Sequence, residues 1–201
     1  MASSIIEICN NALIKLGANS IVSLSDDTKA ARLCNRMYKI VRDDLLRSHI
    51  WNFAIGRAKL AKLSTTPAFG YSFEYQLPSD CLRVVRLHNT KAEYRIEGRK
   101  LLTNSNTIKL MYIKKITDVS QFDSSFSDVL ACKLASEIGY ALTNNGTLVG
   151  ALKNQCERAF RRAKMTDAQE DSIYIIETDT FLDSRFYGDA SGGITYESAD
   201  D

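Results

Sequence analysis

Apolar residues recur at every third or fourth position from the start of the chain. Ile5, Ile8, Cys9, Ala12, Leu13 and Leu16 fall on one stripe of a 3.6-residue repeat, which predicts a helix over residues 4–16. Ser4 and Glu7 have the spacing of a capping box at its start, and Gly17 is the residue type that ends a helix in the left-handed conformation. A second stripe, Ala30, Leu33, Cys34, Met37, Val41 and Leu45, predicts a longer helix over 27–48. The Ser25-Asp26-Asp27 cluster before it suits an N-cap and the positive end of the helix dipole. Lys29, Arg32, Arg36, Lys39, Arg42 and Arg47 lie mostly off the stripe, giving this helix a basic outer face.

The period then falls to two, the mark of strands, over residues 51–116. Tyr71, Phe73, Tyr75 and Leu77 alternate with Ser72, Glu74 and Gln76, Pro78-Ser79-Asp80 breaks the run, and Leu82 to Leu87 resumes it. Tyr94 and Ile96 alternate with Arg95 and Glu97, Gly98-Arg99 can turn, and Ser105-Asn106 separates Leu101-Leu102 from Ile108, Leu110 and Tyr112. Connections this short predict antiparallel hairpins, because parallel strands need a longer crossover.

Helical spacing returns over 126–144, with Leu130, Leu134, Ala135, Ile138, Ala141 and Leu142 on one stripe, Ser125 and Asp128 as a capping pair, and Asn145-Gly146 as the stop. A fourth helix over 148–168 places Leu148, Val149, Leu152, Cys156, Ala159, Phe160 and Ala163 inward and is basic through Arg158, Arg161, Arg162 and Lys164. The expected fold is α+β: an antiparallel bundle of about four helices with an inserted β-hairpin region, residues 1–170, followed by an extended arm, 171–201.

Composition narrows the class. A chain of 201 residues, 45% hydrophobic and 25% charged, suits one soluble domain, and no apolar run is long enough for a membrane span or a signal peptide. Five cysteines stand far apart with no C-x-x-C, so neither a disulfide framework nor a zinc site is expected, and Cys9, Cys34, Cys132 and Cys156 are expected in the core. The net charge of +2 is uneven: residues 171–201 hold eight acids and one base, a charge of −7, which leaves +9 on residues 1–170. A basic body with an acidic arm suggests docking of the arm on a basic surface or, equally, a solvated tail. The arm's aromatics favour docking. Its expected partner contacts are Ile173, Ile175, Phe181, Arg185, Phe186, Tyr187 and Tyr196, with Ser172 to Glu177 as the segment able to add to a sheet edge.

Catalytic groups are sparse. His49 and His88 are the only histidines, and no Walker loop, G-x-S-x-G or G-x-G-x-x-G occurs, so no cofactor, metal or enzymatic activity is expected. Asp26-Asp27 and Asp43-Asp44 invite comparison with the carboxylate pair of a tail-associated glycoside hydrolase. Adjacent helical residues diverge, however, and capping and solvation account for both pairs.

Three stretches are more specific. HIWNFAIGRAKLA (49–61), YQLPSDCLRV (75–84) and FSDVLACKLASEIGYALTNN (126–145) resemble, in order and spacing, the tail tubular protein A or head-to-tail adaptor family of short-tailed bacteriophages. The resemblance covers residues 3 to 170. Without it, Trp51 and Phe53 read as anchors where helix meets sheet, and in the second stretch Pro78 fixes a turn, Asp80 can bond backbone amides, and Leu82 and Val84 face inward. What the resemblance implies is a virion protein of the tail or neck: a ring of about twelve copies, bound to the portal, joined to the tail nozzle or next ring, with genomic DNA passing through the channel without sequence recognition. It carries no catalytic residues over. Alternatives are a connector or head-completion protein of a long-tailed phage, or a basic nucleic-acid-binding protein using the second and fourth helices.

Overall fold

A computed structural model describes residues 4–89 and 92–170. The chain forms α1 (Ile5–Lys15), α2 (Lys29–Ser48), β1 (Ile55–Lys59), β2 (Phe73–Gln76), β3 (Cys81–Leu87), β4 (Tyr94–Glu97), β5 (Lys100–Thr103), β6 (Lys109–Lys114), α3 (Ser124–Thr143) and α4 (Gly146–Gln169). The fold is α+β, four helices with two antiparallel three-stranded sheets between the second and third.

α3 is the central helix. It packs against α1, α2 and α4 and buries Val129, Leu130, Ala131, Cys132, Leu134, Ala135 and Ile138 on almost every side, so its apolar surface is wider than a single stripe. α1 follows expectation, with Ile8, Cys9, Ala12 and Leu13 buried, the Ser4–Glu7 capping box formed and Gly17 at φ +67°.

The other helix ends are corrected by side chains that find stronger local partners. Ser25-Asp26-Asp27 does not cap α2: Asp26 accepts from the backbone N–H groups of Val22 and Ser23 at 2.9 and 3.0 Å, Asp27 pairs with Arg32, and Thr28 takes the cap by accepting from Ala31 N–H. The inward face of α2 is rotated accordingly: Ala31, Cys34, Tyr38, Val41, Leu45 and Leu46 are buried, while Ala30, Leu33 and Met37 are half-buried. α3 starts at Ser124 under Asp123, so Ser125 and Asp128 form no capping pair, and Asp128 instead bonds Lys15 at 3.0 Å. Asn144 ends α3 in the left-handed conformation, φ 51°, and Asn145 caps α4. α4 packs chiefly on α3, which leaves Leu148, Val149, Cys156 and Phe160 half-buried instead of buried.

The strands form two sheets, ordered β1-β6-β3 and β2-β5-β4, so the expected run of hairpins is corrected to one two-residue hairpin, β4–β5, with Gly98 at φ +58°. β2 and β3 do not pair with each other: the turn at Pro78, closed by Cys81 N–H to Pro78 C=O at 3.0 Å, carries the chain from one sheet to the other, and the segment after β5 carries it back. Between the sheets lies a core of Leu60, Tyr75, Leu77, Leu101, Ile108, Leu110 and Tyr112, while Ile113 and Ile116 belong to the helical core.

Cys9, Cys34 and Cys132 are buried as expected, Cys81 lies in the sheet core, and Cys156 is half-buried. The Cys132 thiol of α3 donates to Leu152 C=O of α4 at 3.8 Å, and the neighbouring Cys34 thiol together with burial pushes the Cys9 thiol up. Ile173, Ile175, Phe181, Arg185, Phe186, Tyr187 and Tyr196 lie outside the described residues.

Candidate functional site

Residues 49–61 and 75–84 meet where α2 passes into the sheets. Trp51 is buried, its indole N–H donates to Leu45 C=O at 3.0 Å, and its ring packs on Phe53, Phe126 and Phe160, the last two brought by α3 and α4. This is the apolar pocket with one polar outlet that the sequence predicts for an indole. Sequence reading missed its partner Asp167, a buried acid near the end of α4. Asp167 accepts from Asn52 N–H at 3.0 Å, its backbone carbonyl accepts from Asn52 Nδ2 at 2.7 Å, and its carboxylate lies 3.4 Å from His49 Nε2. Nothing in the local pattern marks one of the two acids of this basic helix as an inward clamp.

His49 stands edge-on to Trp51, and burial pushes its pKa below the ordinary value, with Asp167 pulling the other way and Lys164 and Arg83 adding to the depression. The contact to Asp167 is an ion pair only when the ring is protonated.

Five residues after Trp51 the same stretch supplies Gly56. The Tyr112 ring crosses β1 there, close enough that a Cβ on Gly56 would sit 2.7 Å from Tyr112 Cζ. Tyr112 Oη reaches Asp80 Oδ1 at 3.2 Å, and burial followed by this carboxylate pushes the phenol up to about 12. Asp80 thus holds a side chain where the sequence suggested backbone amides. Leu82 packs partly on the helical core and Val84 partly on the sheet core, because register shifts between Cys81 and Arg83 and between Val84 and Arg86 re-aim β3.

α2 also reaches the sheets through charge. Arg42, only 4% exposed, donates from Nε to Asp43 at 2.8 Å, and Asp43 takes Lys115, beyond β6, at 2.9 Å. The acid pair Asp43-Asp44 is occupied by such ties, Asp44 bonding Lys133 of α3. Asp26-Asp27 is likewise engaged in the loop and with Arg32.

Three outward surfaces are basic. Lys29, Arg32, Arg36 and Lys39 are exposed on α2 together with Ile40, and Arg158, Arg161 and Arg162 are exposed on α4 together with Met165. The third was not anticipated: Arg57 and Lys59 of β1, Lys109 of β6, Arg86 of β3 and the following His88 surround a shallow cleft of about 490 Å³. Its signal was present in the alternation, since Arg57, Lys59 and Lys109 occupy the parity opposite to Gly56, Ala58, Leu60 and Leu110. Phe69 is 90% exposed in the loop before β2, and all four residues of edge strand β4 are exposed.

Among the described residues, no helix is long and apolar enough to cross a membrane, and no group of three or more His, Cys, Asp or Glu could hold a metal ion. Comparison with known protein families found no matching family, and comparison with curated proteins found no match.

Proposed function

We propose that this protein is a structural subunit of a virion, a ring-forming head-to-tail adaptor of the tail tubular type that joins portal to nozzle. The observation that carries the reading is the resemblance of its three stretches, in order, to that family; each also has a structural task. The first builds the Trp51 junction and Gly56, the second the turn between sheets, and the third the central helix.

A ring built from one chain needs two different faces that meet heterologously. α2 and α4 flank α3 and present separate outward faces, each mixing bases with an exposed apolar residue, Ile40 at 59% and Met165 at 65%. Phe69, Tyr94 and Ile96 give the β region exposed apolar side chains for the next tail component. In this reading the expected partners are further copies, portal, nozzle and the passing genome, and Ile173 through Tyr196 belong to the partner contacts.

Electron microscopy of the chain mixed with its portal tests the reading. Closed rings are expected; monomers alone at assembly concentrations, with portal present, overturn it.

A further inference from the structure

The β1-β6-β3 sheet has one face in the core it shares with the other sheet. Its opposite face is covered by the helical core only at the end where Ile55 pairs with Ile113. Beyond that end most of its side chains are exposed, and two rows of them cross the face. In one row Met111 has Arg57 on one side and Arg86 on the other; in the next, Lys109 has Lys59 on one side and His88 on the other. All five basic residues are exposed, and among the described residues no acid lines the cleft they surround.

Two features make this more than a solvated polar face. Lys59 and Lys109 are directly opposed partners, and like charges so placed destabilise a sheet. Elsewhere the protein neutralises such lysines: Lys100 meets Glu74 at 2.7 Å and Lys115 meets Asp43 at 2.9 Å. Among the described residues Arg57, Lys59 and Lys109 form no ion pair, so an anion seated between the rows relieves a repulsion that the fold itself leaves standing.

We propose that this face binds the sugar-phosphate backbone of nucleic acid, through Arg57, Lys59, Lys109 and Arg86 with His88 at the rim. Residues two apart on a strand are separated by about 6.7 Å and adjacent strands by about 4.8 Å, so the array covers roughly 7 by 10 Å. That area spans about two to three phosphates of a strand rising about 3.4 Å per nucleotide. An acidic peptide is the weaker fit. A peptide added to a sheet gains its affinity from main-chain hydrogen bonds at an edge, whereas here the central strand β6 is already paired on both sides and the face offers only charge. Contact to phosphates alone carries no sequence preference. The inference rests on the sheet and stands whether or not the chain forms a ring.

Fluorescence anisotropy of the full chain with a mixed-sequence duplex of about 30 base pairs tests it, at about 50 and about 200 mM salt. Two to three phosphate contacts give an affinity that falls about ten- to fortyfold between those conditions. The triple variant Arg57→Glu, Lys59→Glu, Lys109→Glu should lose most binding and flatten the log–log salt slope by about 2 to 3, whereas Arg158→Glu with Arg162→Glu on α4 should keep the slope. Lys109→Gln separates binding from folding: it removes the opposed pair, so the thermal midpoint should rise while duplex affinity drops, a combination that a misfolded variant cannot give. No binding at the lower salt, loss of binding in the α4 variant but not the sheet variant, or displacement of the duplex by polyglutamate at a lower charge concentration would each overturn the proposal, the last in favour of an acidic protein partner.

Discussion

Gly56 sets how near β1 comes to the Tyr112 ring, and the ring is held from the far side by Asp80. Gly56→Ala must therefore move a buried, hydrogen-bonded phenol, and should lower stability by about 1–3 kcal/mol in denaturant unfolding. An unchanged midpoint means that the ring swings away at no cost. Tyr38 gives the opposite expectation. Its hydroxyl is buried with no hydrogen-bond partner among the described residues, and burial pushes the phenol up to about 12. Tyr38→Phe deletes an unsatisfied group while keeping the ring, so the thermal midpoint should hold or rise, by up to about 1–2 kcal/mol of stability, and a fall would reveal a partner for the hydroxyl. His49 makes stability depend on pH. Its folded pKa is depressed below the ordinary 6.5, chiefly by burial, so on acidification the unfolded chain takes up the proton first. Stability is full above about 6.5 and declines as pH falls from there towards the folded pKa; His49→Gln should flatten that slope in melts between about pH 7.5 and 5. A wild-type slope unaltered by the substitution assigns the effect to other groups.

Among the elements, α3 matters most because it touches the other three helices. Leu134 is 0% exposed at its centre, and Leu134→Asp places an unpaired carboxylate there, expected to cost on the order of 3 kcal/mol or more and to abolish the cooperative thermal transition or shift it far down. An untouched midpoint would contradict the packing of this helix. The same element shows what local pattern conveys. Its stripe and its termination near residue 144 were readable from the spacing of Leu130, Leu134 and Ile138, because a helix face obeys a fixed period. Its cap was not, since Asp123 outcompetes Ser125 only through where the preceding turn delivers it. Strands were readable as strands but not their partners: β2 and β3 are separated by one turn yet enter different sheets, and pairing is decided by the two cores that form on either side of it. The basic cleft was unseen for the same reason, as its cations come from β1, β3 and β6, distant in sequence, and converge only when β6 inserts between the other two. Asp167 differs again. Its inward role depends on Asn52, which lies far away in sequence and meets it only through tertiary packing.

At the scale of the whole molecule, charge and core are divided differently along the chain. Among the described residues the two cores lie between Ile5 and Ala163, whereas seven net negative charges lie after Glu170. A chain ended at Glu170 keeps every one of these core residues and should melt cooperatively at a similar temperature, while its net charge rises from +2 to +9. Long-range attraction of polyanions follows net charge and is screened beyond about 10 Å at 0.1 M salt. The truncated chain should thus bind duplex DNA more tightly than the full chain at low salt, with the difference shrinking as salt rises. It should also join portal complexes less well if Ile173 through Tyr196 supply partner contacts. The two readouts separate two roles. Tighter duplex binding with normal ring formation makes residues 171–201 an electrostatic counterweight that weakens the hold of the basic body on nucleic acid. Tighter binding with failed assembly makes them a docking segment as well, and duplex affinity that falls on truncation would contradict the assignment of nucleic-acid contact to the basic body.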